Sequence, residues 1–322
     1  MAKVNDRVVV LGAGPLGTAL AGQLAAQGKD ARLLSVMNNR AYDMPGTKPE
    51  AIDGANEDQV RQAVAGASTV YLCLNAHYVD WYALYPPRLQ AAMSAAAAAS
   101  AKLVYHDSIY NYGPVDGPLT EDLPNSDKTR KGKLRGEMAD KLLEAAGSGQ
   151  LQAVIGRSAD MYGPGALNSS FNSTLGQRHF YPALAGRAVS VLGDIDAPHT
   201  YAFVDDVARG LITLAEREEA LGQVWHIPAA PTLSHRQLMT IAYEEAGQEP
   251  KIRGSRVSTY FVKVIGRFQA DVGEVAEMSY QFDKPLTVDH GKFEAAFGSY
   301  PTPHQEAIGR TLVWYRANPL PA

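Results

Sequence analysis

The sequence predicts an α/β fold: a Rossmann-type doubly wound parallel sheet with a smaller C-terminal substrate-binding region. Three observations carry this. A β-branched apolar run near the start ends in a glycine-rich turn, strands and helices then alternate as far as residue 155, and the texture of the chain changes after about residue 160.

Residues 8–11 (VVVL) form an unbroken apolar run, as a parallel strand buried on both faces requires. Leu16, Leu20 and Leu24 recur every four residues and so share one helical face, and Gly28 ends that helix. Residues 31–36 (ARLLSV) read as the second strand, 60–64 as a helix and 68–74 (STVYLCL) as a strand again. The alanine-rich run 91–101 is a strong helix former. Residues 103–106 make a strand leading into Ser108, 137–146 a helix and 151–155 another strand.

Beyond that, residues 168–174 are polar and loop-like, and Pro and Gly recur through 182–198. A helical pattern returns at 202–219 and a strand at 224–227; from 228 onward the chain has short helices, prolines and aromatics. The expected division is a dinucleotide-binding domain of residues 1–165 and 200–228, and a substrate-binding region of residues 166–199 and 229–322. Phe180, Tyr181, Tyr260, Phe261, Tyr280 and Phe282 are expected to be pocket or core aromatics of that second region.

Composition narrows the function. The chain has 322 residues, 46% hydrophobic and 20% charged, which excludes a disordered or collagen-like protein. A net charge of −4 gives no basic excess for nucleic acid or an anionic membrane. The cations around residues 128–135 have no interleaved aromatics, a poor nucleic-acid pattern. The single cysteine, Cys73, excludes an intrachain disulfide and a multi-cysteine zinc site, and reads as a core residue of its strand. The eight histidines show no metal-ligand spacing, so no metal is expected. There is no G-x-x-x-x-G-K-[ST] and no G-x-S-x-G, which removes the usual phosphoryl-transfer and esterase readings. Residues 8–26 are mostly apolar, but Gly12, Gly14, Pro15, Gly17, Gly22 and Gln23 make them a strand, turn and helix rather than a signal or membrane segment. A cytoplasmic protein is expected.

The turn Gly12-Ala13-Gly14-Pro15-Leu16-Gly17 is G-x-G-x-x-G between a strand and a helix. The first glycine permits the tight turn, the second lets a pyrophosphate approach the backbone, and the third lets helix and strand pack closely; the phosphates sit at the helix N-terminus. An NAD-preferring site carries Asp or Glu at the end of the second strand. Here the window Arg32 to Val36 has no acid, and Arg32, Ser35 and Arg40 could accommodate a 2′-phosphate, which favours NADP(H) over NAD(H).

Together with further residues, these features resemble an extended short-chain dehydrogenase/reductase of the NAD-dependent epimerase/dehydratase type, over nearly the whole chain. Asp53 matches the family's adenine-contacting Asp, and Asn75-Ala76 follows the fourth strand where members line the cofactor. Ser108 lies five residues before Gly113 in SIYNYG, matching the family's S-x-x-x-Y-G element. Tyr162-Gly163-Pro164 resembles its Y-G-P turn, and Val204-Asp205-Asp206-Val207-Ala208 its V-D-D-V-A helix start. The helices at 91–101 and 137–146 match the family's dimer-forming pair, which implies a homodimer.

One departure stands out. The family places a catalytic Tyr four residues before a Lys, with Glu four residues further on. Lys133 and Glu137 fit that spacing, but the tyrosine position holds Thr129. The ammonium of such a pair grips the nicotinamide ribose and lowers the phenol pKa so that Tyr can exchange a proton with a carbonyl. A threonine hydroxyl is far too weak an acid for that route. The resemblance leaves Lys133 to hold the ribose and Ser108 to polarise the substrate, with Tyr110 as a candidate replacement donor. Tyr78, Tyr110, Tyr162, His199 and Tyr201 are the candidate substrate-binding residues. Sugar-nucleotide members carry R-D-F-x-Y before V-D-D; here the segment is His199-Thr200-Tyr201-Ala202-Phe203, without the phosphate-binding Arg. The expectation is an NAD(P)(H)-dependent oxidoreductase acting on a small carbonyl or enone-like substrate. The alternatives are a sugar-nucleotide epimerase/dehydratase and a non-catalytic NADP(H)-binding sensor.

Overall fold

The computed structural model describes residues 7–36, 49–74, 76, 78–166, 175–255, 280–299 and 301–319. In chain order the first half holds β1 (Arg7–Leu11), α1 (Pro15–Ala26), β2 (Asp30–Ser35), β3 (Glu50–Ala51), α2 (Glu57–Val64), β4 (Thr69–Leu72), α3 (Trp81–Ala99), β5 (Lys102–Ser108), α4 (Arg130–Gly147) and β6 (Ala153–Ser158). The second half holds β7 (Asp160–Tyr162), α5 (Gln177–Leu184), β8 (Val189–Leu192), β9 (Pro198–His199), β10 (Tyr201–Phe203), α6 (Val204–Glu216), β11 (Val224–His226), β12 (Leu233–Ser234), α7 (His235–Glu245) and β13 (Ile252–Ser255). Three further helices follow: Tyr280–Asp283, Gly291–Phe297 and His304–Ala317.

Seven strands form one sheet in the order β11-β6-β5-β4-β1-β2-β3, each pair parallel. The strand order reverses between β1 and β4, and in such a sheet the carboxyl ends at the reversal open into a crevice. The VVVL run is buried on both faces, and its residues divide by period two. Val8 and Val10 join the apolar cluster of Leu16, Leu20 and Leu211, on the side of α1 and α6. Val9 and Leu11 join the cluster of Val60, Leu89 and Met138, on the side of α2, α3 and α4.

Two helices start earlier than the alanine run and the 137–146 pattern imply. α3 begins at Trp81 and carries Pro86 and Pro87 inside it. Each proline removes an amide that would bond the carbonyl four residues back. Those carbonyls belong to Tyr82 and Ala83, which are half-buried and exposed, so water can satisfy them. α4 begins at Arg130 because the Thr129 hydroxyl accepts from Gly132 N at 3.0 Å and caps it.

The second region shares one apolar core with the α1–α6 face: Phe180, Leu238, Met239, Leu312 and Tyr315 belong to the same cluster as Val8 and Leu20. Phe180 and Tyr181 pack on Tyr315 with ring centroids 5.2 and 4.8 Å apart. Tyr280 and Phe282 are half-buried, while Tyr260 and Phe261 lie outside the described residues. Three short strand pairs lie outside the central sheet: β7 with β10, β8 with β13 and β9 with β12. Among the described residues no helix is long and apolar enough to cross a membrane.

The V-D-D-V-A segment turns out to be a joint. Asp206, buried at the start of α6, accepts from Thr302 N and Thr302 Oγ1, both at 2.7 Å, and from Arg209 Nη2 at 2.8 Å. Asp205 pairs with Arg310 of the C-terminal helix, and its carbonyl accepts from Gln23 Nε2 at 2.8 Å. Asp206→Ala leaves a buried amide unsatisfied and is expected to lower the unfolding free energy by about 2–3 kcal/mol. Urea titration checks this, and a loss below about 0.5 kcal/mol would remove the joint from the account.

Candidate functional site

The glycine turn is built as its spacing implies. Gly12 sits at φ +121°, and a Cβ there would lie 2.1 Å from the Cys73 carbonyl oxygen. A Cβ on Gly17 would lie 1.7 Å from the Gly12 oxygen, so α1 can approach β1 only without it. A Cβ on Gly14 would meet nothing within 4 Å. Its space is open, on the side from which a ligand would approach. Pro15 occupies the first turn of α1, where its missing amide is harmless, and the helix start has no side-chain cap and no acid in its first turn. Such an end favours an anion.

From Gly14 a cleft of about 150 Å³ runs along the carboxyl ends of β4, β5 and β6. Trp81, Ser108, Tyr110, Arg135 and Asp160 contribute its polar and aromatic wall; Cys73, Leu74, Ile109, Met161 and Val204 contribute apolar surface. Trp81 stacks on two tyrosines, Tyr85 at 4.8 Å and Tyr110 at 5.9 Å between centroids. The Arg135 guanidinium lies over the Trp81 and Tyr85 rings, 4.5 and 4.8 Å from their centroids.

Beneath this wall runs a buried polar chain. Asp107, fully buried on β5, accepts from Arg157 Nε at 3.0 Å and from Arg135 Nη1 at 3.3 Å. Arg135 Nη1 also donates to the Tyr105 hydroxyl at 2.7 Å. Arg157 Nη1 donates to Tyr112 Oη at 2.8 Å, and Tyr112 Oη lies 2.7 Å from His226 Nε2. His226 Nδ1 donates to the Asp289 carbonyl at 2.8 Å, so Nε2 is the acceptor and the tyrosine hydroxyl donates to it. On the cleft wall His106 Nε2 meets Ser158 Oγ at 2.9 Å. Burial, and next the nearby Arg135 charge, pushes the His106 pKa down to about 3, so its ring is neutral. Burial pushes the Cys73 thiol up, which keeps it inert.

The structure brings together Gly12, Gly14, Pro15, Leu16, Gly17, Ser108, Tyr110 and Tyr162. Tyr162 presents its ring; its hydroxyl lies 3.2 Å from His304 Nδ1 and is committed there. Other expected residues lie elsewhere. Thr129 is a helix cap, its hydroxyl donating to Asp127 Oδ2 at 2.6 Å, and it is not on the cleft wall. Lys133 is exposed with Glu137 on the solvent face of α4, because that helix turns Lys131, Arg135, Met138 and Leu142 inward. The K-x-x-x-E spacing there is a surface pattern.

His199 and Tyr201 are also off the wall. The Tyr201 hydroxyl lies 3.0 Å from His235 Nδ1, and His199 Nε2 lies 2.9 Å from Asp160 Oδ2, so His199 reaches the cleft only through Asp160. Asp53 is exposed after β3, where its carboxylate accepts from Ala55 N at 3.0 Å and closes its own turn. Arg32 does not reach the end of β2. It donates to Glu50 through Nε and Nη2, at 3.2 and 2.7 Å, and to the Ala63 carbonyl through Nη1 at 2.9 Å. Ser35 closes β2, half-buried. Arg40, Asn75 and the Tyr78 side chain lie outside the described residues.

Sequence reasoning missed Arg135, Asp160, Trp81 and His106. For Arg135 a signal existed, since it shares the helical phase of Met138 and Leu142. For Asp160 no spacing pointed to the cleft; it arrives there because β7 pairs with β10.

A family model described as the NAD dependent epimerase/dehydratase family matches residues 8–227, more than half of the chain, and the chain belongs to that family. Solved structures agree in fold. A double mutant of the Streptomyces venezuelae dTDP-glucose 4,6-dehydratase with NAD bound is 19% identical, with 97% of each chain covered and a TM-score of 0.76. An epimerase from Methanothermobacter thermautotrophicus is 17% identical over 97% of this chain and 92% of its own, with a TM-score of 0.79. A Thermotoga maritima UDP-glucose 4-epimerase with UDP-glucose is 16% identical over 97% and 99%, with a TM-score of 0.76. No curated protein matches the chain in sequence.

Gly17→Ala is expected to destabilise the protein by about 3 kcal/mol or more, and Gly14→Ala by less than about 0.5 kcal/mol, both read from urea midpoints; equal losses would contradict the turn geometry. A second expectation concerns pH. Burial, then Arg135, holds the His106 pKa at about 3; burial, then Arg178, holds that of His179 at about 4; burial, then His179, holds that of His235 well below its ordinary value. The unfolded chain takes up these protons first as pH falls below about 6.5. Their contribution is therefore complete above that pH and is lost progressively towards pH 4 and below. Urea midpoints should already fall between pH 7 and 5; a flat profile there would contradict the neutral assignments.

Proposed function

We propose that the chain is an NAD(P)(H)-dependent oxidoreductase acting on a small, weakly charged carbonyl or enone-like substrate in the cleft between Gly14 and Asp160. The observation that carries it is the open space at Gly14, continuous with a cleft that ends on hydroxyl-bearing residues. The residues present fit a dinucleotide: the backbone of Gly14 to Gly17 and the uncapped start of α1 hold the pyrophosphate. When bound, the nicotinamide supplies the hydride donor or acceptor. Ser108 and Tyr110 orient the substrate oxygen from the end of β5 and the turn that follows it. Leu74, Ile109 and Met161 exclude water.

The absence of an acid from Arg32 to Val36 supports NADP(H) over NAD(H), with Arg40 rather than Arg32 as the 2′-phosphate partner. Family membership favours a second reading, a sugar-nucleotide epimerase/dehydratase. Against it, Arg135 is the only cation on the described wall of the cleft and Asp160 places a carboxylate there, a poor setting for a second diphosphate beside the cofactor's own.

Calorimetric titration of cofactor-stripped protein with NADPH, NADP, NADH and NAD, and separately with UDP-glucose, tests both. The expected result is micromolar binding of the phosphorylated pair, its loss in Gly14→Ala without loss of fold, and no heat from UDP-glucose. No binding by any of the four dinucleotides would overturn the oxidoreductase reading.

A further inference from the structure

The helix α3 follows β4 and buries Trp81, Tyr85, Arg88, Leu89 and Ala92. Those positions recur at three and four residues, so Arg88 lies on the inward stripe despite its charge. Its side chain runs to the ends of two other strands. Nη2 donates to the carbonyl of Val36, the residue after β2, at 3.0 Å. The stem passes Gly54, just beyond β3. A Cβ on that glycine would lie 3.5 Å from Arg88 Cγ and 2.8 Å from the Val36 side chain.

A guanidinium carries five N–H donors and keeps its charge at neutral pH. One of the five meets Val36. Nε and Nη1 are buried and have no hydrogen-bond partner among the described residues. Burial pulls the pKa below the ordinary arginine value, and the nearby Tyr85, Asp53 and Asp80 side chains oppose that pull. Neither carboxylate bonds to Nε or Nη1. Asp53 is turned to its own loop, where it accepts from Ala55 N at 3.0 Å. Arg32, on β2 itself, is by contrast fully engaged by Glu50 and the Ala63 carbonyl. A buried cation with unmade hydrogen bonds is unfavourable, and an anion that met those donors would relieve it.

The position selects the anion. In a dinucleotide site the end of the second strand meets the adenosine ribose, through an acid when its 2′ position is a hydroxyl. Ser35 and Val36 occupy that place here, and no acid stands from Arg32 to Val36. We propose that Arg88 binds the 2′-phosphate of NADP(H), with Nη2 fixing the end of β2 while Nε and Nη1 donate to phosphate oxygens. This rests on the dinucleotide reading above. It gives the preference for the phosphorylated pair a residue on a helix outside the glycine turn and the second strand, so the preference does not rest on Arg40 alone.

Calorimetry with NADP and NAD tests it, together with 2′,5′-ADP and 5′-AMP as probes that lack the nicotinamide. The proteins are wild type, Arg88→Met, Arg88→Gln and Arg40→Ala, with far-UV circular dichroism and melting to confirm folding. Wild type is expected to bind NADP at least fivefold more tightly than NAD, and 2′,5′-ADP at least fivefold more tightly than 5′-AMP. Arg88→Met keeps the volume, and Arg88→Gln also keeps a donor for Val36. Both should shrink the two ratios at least threefold, with NAD and 5′-AMP affinities within threefold of wild type. Arg40→Ala should still prefer NADP at least threefold. A merely structural role would weaken NAD and NADP alike and leave their ratio standing. Wild-type ratios below fivefold, ratios that shrink less than threefold in a folded Arg88 variant, or a preference below threefold in Arg40→Ala would each overturn the inference. If neither Arg88 variant folds, the wild-type and Arg40→Ala ratios decide the matter. Wild type that binds no dinucleotide would overturn the functional reading itself, whereas equal binding of NAD and NADP would overturn this inference alone.

Discussion

Asp107 has no exposed surface, and a carboxylate so placed is tolerable only with charged partners in hydrogen-bond geometry. It has two, Arg157 on the neighbouring strand β6 and Arg135 on the helix that covers β5. That requirement docks α4 against the sheet in one rotational setting. It also seats Arg135 under Trp81, and Trp81 in turn stacks on Tyr110 at the cleft. Through Arg157, Tyr112 and His226 the same chain reaches Asp289, which ties the sheet edge to the second region. Removing one partner would leave a buried charge uncompensated, so the network behaves as a unit.

The helical setting explains why a local spacing misled. Lys133 and Glu137 satisfy a family pattern at i, i+4, but the same spacing is what any solvated helix face uses for ion pairs. The competing pattern was present in the same eighteen residues of α4: Lys131, Arg135, Met138 and Leu142 form the stripe that the fold buries. A stripe that mixes cations with apolar residues reads as surface until a buried acid on another strand is known. Thr129 has a parallel history, since its hydroxyl serves the helix end rather than a substrate.

The same competition decided the histidines. From sequence, His199 and Tyr201 stand just before the α6 start and look placed for a ligand. In the fold, His199 on β9 stacks on Tyr201 of β10, both are buried, and the Tyr201 hydroxyl meets His235 Nδ1. What they leave at the cleft is Asp160, a carboxylate that no motif announced. Together with Arg135 it gives the cleft wall one acidic and one basic side chain.

By itself the sequence determined the sheet and the glycine turn. An apolar run buried on both faces, glycines at three spaced positions and a four-residue leucine repeat are local patterns, and local geometry is enough to read them. The close approaches at Gly12 and Gly17 are the physical content of that spacing. The tertiary structure alone decided which charged residues face the cleft. That choice depends on the rotation of α4 about its axis and on the pairing of β7 with β10, and both follow from where the buried Asp107 and the apolar core find their partners, far away in sequence.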